Sequence, residues 1–232
     1  MRKFAFVALF ITSFIVNAQS NGELQKHYEA FYKEMRMQSD VIGMINALTH
    51  LNILSPSQSR KDTLAYIYVN NNQHMQALNT IGIDKNEADS DLAVQVKAIS
   101  LKAINQPKRA LEQFEILNMR NPNAYIAYEI ADLKIQTGDN AGAITNIEYG
   151  IANAQNDMKY AFYERQQPYE ASLKAAFFHL KALAVYNQDK EKIDEAIALI
   201  DEALKIDPNF NLASLSKQAL ESRKTPATEQ KE

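Results

Sequence analysis

The sequence predicts an all-α fold: an α-solenoid of stacked antiparallel helix pairs, wound as a right-handed superhelix and closed by a C-terminal capping helix. Composition is the first ground. Gly and Pro together supply 12 of 232 residues while Ala alone supplies 31. A sandwich or barrel needs a turn about every ten residues, so this balance favours helix. Recurrence is the second ground. Small-residue pairs return at a fixed period, at Ala77-Leu78, Ala110-Leu111 and Ala143-Ile144, each step being 33 residues. A unit of that length cannot bury its own apolar face and must stack on its neighbours.

The elements follow in order. A degenerate first pair is expected over 22–56, then regular pairs over 57–89, 90–122 and 123–156. The next good match, around Ala196-Ile197, comes 53 residues after Ala143, one period plus twenty. The surplus is placed as an insert within 153–176, followed by a last unit to 208 and a cap over 209–222. Residues 223–232 are polar and read as a disordered tail. Within units, Ala65 and Ala77, Ala98 and Ala110, and Ala184 and Ala196 are expected to face each other, with larger residues filling the seam of each amphipathic helix. Prolines fall on punctuation: Pro56, Pro122 and Pro208 after second helices, Pro107 and Pro168 in first turns, Pro226 in the tail.

This pattern, with Thr137-Gly138-Asp139 and Lys205-Ile206-Asp207-Pro208-Asn209 at its two turns, resembles the tetratricopeptide repeat (TPR) over roughly residues 57–210. It departs from the family at the Trp position and twice at the turn Gly, where Asn72 and Asn105 stand. Asn tolerates positive φ, so these turns are expected to keep their shape. The resemblance implies a concave face built from the first helix of each unit. Its groove positions fall on Asp62, Tyr66 and Asn70; on Gln95, Ile99 and Lys102; on Tyr125, Tyr128, Asp132 and Gln136; and on Lys181 and Val185. Such a polar-aromatic stripe suits a peptide or protein segment, with Tyr66, Tyr125 and Tyr128 expected as its anchors and Tyr128→Ala expected to weaken binding without disturbing the fold. The Lys and Asn that hold a C-terminal carboxylate in some members are replaced by Asp62 and Tyr66, which disfavours that mode.

The insert carries Tyr160, Phe162, Tyr163 and Tyr169 around a polar run, Glu164-Arg165-Gln166-Gln167. It is read as a second helix prolonged to about Tyr163, a turn ending at Pro168, and a long helix from Tyr169 to about Asn187. Its aromatics either pack these helices or form a ledge for a partner.

No chemistry is legible. The chain has no Cys, and none of His27, His50, His74 and His179 lies three or four residues from another, so no helix face offers a two-His metal site. Phosphate-cradling glycine loops and a G-x-S-x-G elbow are absent. The acid pairs Asp194-Glu195 and Asp201-Glu202 share a helix with Lys190, Lys192 and Lys205 and read as a solvated face. Net charge is −3, and neither half is basic, which argues against nucleic acid. The reading is therefore not an enzyme, with no cofactor and no metal.

At the N-terminus, Arg2 and Lys3 precede an apolar run from Phe4 to Val16 and a small-residue exit, Val16-Asn17-Ala18. This reads as a secretory signal peptide over 1–18, and its Ala18-Gln19 junction resembles those of Bacteroidetes-type exported proteins. The run is shorter than a spanning helix, nothing later spans, and no Cys is available for lipid anchoring. The chain is expected to be periplasmic or secreted: a scaffold binding a protein or peptide through its concave face or, alternatively, a structural subunit of an envelope assembly using its outer face or the insert.

Overall fold

The computed structural model describes residues 21–224, which hold eleven helices and a two-stranded sheet in two compact units divided after Gly82. The leader and the tail beyond Lys224, with Pro226, lie outside the described residues.

The first unit contains α1 (Asn21–Met37), α2 (Val41–Leu54), α3 (Gln58–Asn70) and α4 (His74–Ile81). Asp40 and Ser57 cap α2 and α3 by accepting the amides of Gly43 and Arg60. The Arg60 guanidinium then donates to the carbonyls of Leu51 (3.1 Å) and Ser55 (2.5 Å), closing the C-terminal end of α2. Leu48, Leu51 and Leu64 form a small core under Tyr28 and Tyr32.

The second unit begins with α5 (Asp91–Ala103), α6 (Pro107–Arg120), α7 (Ala124–Gln136) and α8 (Asn140–Asn153). After a hairpin come α9 (Leu173–Gln188), a 3-10 turn over Lys190–Lys192, α10 (Ile193–Ile206) and α11 (Asn211–Lys224). Sequential helices pack on each other, as a solenoid of helix pairs requires. The loop before α5 is tied down by Lys97, whose buried Nζ donates to the Asp84 carbonyl (2.8 Å) and to Asp89 (2.5 Å). Arg120 holds the same loop through the Glu87 and Asp89 carbonyls.

The repeat turns behave as their residues allow. Asn72 and Asn105 adopt φ 57° and 58°, the left-handed region that Gly138 occupies at 89° in the next unit. Ala65, Ala77, Ala98, Ala110, Ala184 and Ala196 are all fully buried, so the seams between paired helices leave no room for longer side chains. Ala110→Leu is accordingly expected to cost about 1–3 kcal/mol by overpacking. Lys205, paired at 3.8 Å with Glu202 on an open face, should change stability by less than about 0.5 kcal/mol when replaced by Gln. Urea unfolding of the two variants checks the pair.

The insert differs from its sequence reading. Helix α8 stops at Asn153, and the chain forms an antiparallel hairpin, β1 (Lys159–Phe162) and β2 (Tyr169–Ser172), before α9 starts at Leu173. Pro168 therefore precedes a strand and not a helix. The physical reason is alternation. On a helix Tyr160 and Phe162 would diverge by roughly 200°, whereas a strand puts both on one face. That face meets Tyr128 and Phe210. A smaller correction concerns the C-terminus. Arg223 and Lys224 belong to α11, not to the tail.

Candidate functional site

The first helices α5 and α7 stand side by side in the second unit with α6 behind them. Between them lies a cavity of about 490 Å³. Its wall combines Ile99, Phe114, Leu117 and Ile126 with a rim of Gln95, Asn121, Asn123 and Tyr125. Ile99 and Tyr125 are unusually open for large apolar groups, at 37% and 42% exposure. Asp91 and Arg120, at one end, pair with each other at 2.6 Å. Glu129 closes the other end.

Glu129 belongs to a polar knot beside the cavity. Its carboxylate accepts from Lys102 and, at 2.6 Å, from the Tyr160 hydroxyl of β1. Asp132 adds a second carboxylate 3.4 Å from Lys102 Nζ. Burial opposes charge on Lys102, but the two carboxylates together outweigh it and hold the ammonium above its ordinary pKa. Burial, reinforced by Glu129, pushes the Tyr160 phenol well up. Of these four groups, Lys102 and Tyr160 therefore stay protonated across neutral pH. None is left as an unpaired acid, base or nucleophile, and no cluster of three His, Asp or Glu with metal-holding geometry occurs among the described residues.

The residues expected to line a groove divide into three groups. Open to solvent are Tyr66 and Asn70 on α3, and Gln95, Ile99, Tyr125 and Gln136 in the second unit. Gln136 bridges to Asp132 at 2.9 Å. A half-buried group is tied to neighbours within the chain: Lys102 and Asp132 to one another, Lys181 to Glu148 at 3.6 Å. The third group is buried and cannot meet a partner. Asp62 is 3% exposed and accepts from Gln58, Val185 is covered, and Tyr128 is 4% exposed.

Tyr128 is the correction that matters most. Its ring centroid lies 4.3 Å from Tyr160, 5.5 Å from Phe177 and 6.5 Å from Phe162. The hairpin covers it, so a predicted anchor is a core residue. The ledge is corrected for the same reason: Phe162 is buried and Tyr160 half-buried, both packed inward. Tyr169 packs on Phe162 and donates to Glu164 at 2.6 Å; burial and that bond raise its phenol to about 12. Only Tyr163 stays open, at the turn of the hairpin. Sequence reasoning named neither Glu129 nor the apolar floor from Phe114, Leu117 and Ile126. Glu129 lies one residue from Tyr128 and one α-helical turn before Asp132, a spacing that could have flagged it.

No protein-family model matches the sequence, and no curated protein matches it. Solved structures do share its architecture. The crystal structure of MamA protein superposes with a TM-score of 0.61 at 17% identity, covering 81% of this chain and 93% of that one. The crystal structure of YrrB, a TPR protein with an unusual peptide-binding site, superposes with a TM-score of 0.65 at 16% identity, covering 87% of this chain and all of that one. The molecule is thus a solenoid of helix–turn–helix repeats. More narrowly, it has the tetratricopeptide-repeat fold.

Proposed function

We propose that the chain is a non-enzymatic scaffold of the bacterial cell envelope that binds a peptide or protein segment through the first-helix face of its repeats, the concave side of the array. The observation that carries this reading is the cavity between α5 and α7, with Ile99 and Tyr125 left open in its wall. An apolar floor with an amide-bearing rim suits a side chain presented by a polypeptide, whose backbone the rim can hydrogen-bond. The fold shared with YrrB, a protein with a peptide-binding site, supports the same reading.

Tyr125→Ala is expected to leave the melting temperature unchanged and to weaken capture of the partner from the native envelope fraction by roughly five- to thirtyfold, a loss of about 1–2 kcal/mol. Unaltered capture would remove the cavity from consideration. The envelope assignment rests on the leader and is tested separately. Mass spectrometry of the native protein should find a chain beginning at or near Gln19; an intact Met1 in a cytosolic fraction would refute export.

A further inference from the structure

We infer that the hairpin insert is a template for strand addition, and that an extended polypeptide segment pairs with the outer edge of β1. This rests on the peptide-binding reading above and specifies how the segment is held. The Leu173 amide donates to the Met158 carbonyl at 2.9 Å, directly across the ladder in the register that sets Lys159 opposite Ser172. Hydrogen-bonded and non-bonded pairs alternate in an antiparallel ladder. Tyr160 and Phe162 therefore spend their backbone groups on β2, while Lys159 and Ala161 turn theirs outward.

The two edges are not equivalent. On β2 the outward amide of Ser172 donates to Asp207 at 2.8 Å, which closes that end. On β1 no described residue bonds the outward N–H and C=O of Lys159 or Ala161. Such a row of unspent donors and acceptors has one natural occupant, another strand. The setting agrees. β1 is the strand on the α5–α7 side, because its Tyr160 touches Tyr128 and bonds Glu129, while Tyr169 and Ser172 of β2 reach Leu212 and Asp207. Glu129 is shared with the cavity wall, so a strand on β1 runs beside the cavity that would take one of its side chains.

The pleat sets the chemistry of the segment. Side chains on the Tyr160 face point toward α7 and should be apolar. Those between stand beside the exposed Lys159, whose ammonium, 4.0 Å from Asp207, can take a second, acidic cross-strand partner. The occupant is thus an extended, alternating apolar and acidic or polar segment of a partner protein.

The test selects binders from a displayed library of random linear peptides on the purified protein, then N-methylates each amide of a selected peptide in turn. Strand addition predicts losses of about tenfold at every second position and little change between them, because only alternate amides face the edge. Ala161→Pro, which removes an outward donor without touching the ladder, should weaken the same peptide to a similar degree; Glu170→Pro, on the other edge, should not. Insensitivity to N-methylation and to Ala161→Pro, with binding still lost in Tyr125→Ala, overturns strand addition and leaves the cavity reading standing. Loss in Ala161→Pro with Tyr125→Ala unaffected does the reverse. A concentration-dependent dimer abolished by Ala161→Pro would assign the edge to a second copy of the chain and overturn the proposal. If Ala161→Pro melts early, the N-methyl scan on the unaltered protein decides alone.

Discussion

Tyr128→Ala lowers the unfolding free energy of the second unit by about 3–5 kcal/mol, the range for deleting a buried aromatic ring. The ring is 4% exposed and touches Tyr160, Phe162 and Phe177, so its loss opens a void among three aromatic side chains that the close-packed surroundings cannot readily fill. Each of those contacts is edge-on or tilted, geometries that add to the burial itself. Tyr125→Ala, three residues away and 42% exposed, should move the same unfolding curve by less than about 0.5 kcal/mol. Urea titrations of the two variants make the contrast. An unshifted midpoint for Tyr128→Ala would contradict the aromatic core.

Acidification should weaken the fold through His179. Its side chain is 3% exposed, Nε2 lies 2.8 Å from Ser216 Oγ on α11, the ring sits edge-on to Phe210, and buried Nδ1 has no partner. Burial drives the imidazole pKa from 6.5 down to about 4, outweighing the opposing attraction of the Glu164 carboxylate. The folded chain thus keeps His179 neutral, while the unfolded chain takes up a proton below about pH 6.5. The stability linked to this residue is complete above pH 6.5 and drains away as pH falls toward 4, reaching about 3 kcal/mol. His179→Leu loses the Ser216 bond at every pH but should flatten the profile across that window. Unfolding measured at pH 7 and at pH 4.5 in both proteins checks the difference. An unchanged slope in the variant would mean that another group is responsible.

The repeat frame was readable because it rests on long-period regularities that single residues enforce. Only Ala fits the fully buried seam positions such as Ala98 and Ala110, and only Gly or Asn sits easily at φ near 60°, so Asn72 and Asn105 marked their turns. The hairpin was not readable. Four residues per strand are too few to separate a period of 2 from 3.6, so the alternation of Tyr160 and Phe162 carries little weight in the sequence alone. That one misreading propagated to the site. Tyr125 and Tyr128 share a helix face in sequence, and only the strand laid over the second of them decides that one is open and the other buried. Asp62 and Lys102 failed differently. Both were expected to face a groove, but Asp62 is buried and accepts from Gln58, and Lys102 is paired with Glu129 and Asp132. Pairing of that kind depends on rotamers and not on spacing.

A chain of repeats that touch only their neighbours would open piecemeal from its ends, each pair exchanging its amide protons on its own schedule. The hairpin changes that here. Through Glu129, Asp207, Asn211 and Leu212 it stitches α7 to the turn after α10 and the start of α11, with single bonds joining positions up to 47 residues apart along the chain. Opening any one of these helices breaks bonds to the hairpin and exposes the shared aromatic core. Amides from Ala124 to about Leu220 should therefore exchange as a single cooperative block, slow and uniform, with residues on either flank of the insert rising and falling together. The small leucine cluster of the first unit has no such clasp, and its helices should exchange sooner. The insert acts as a seam that makes part of a linear array fold like a globular domain.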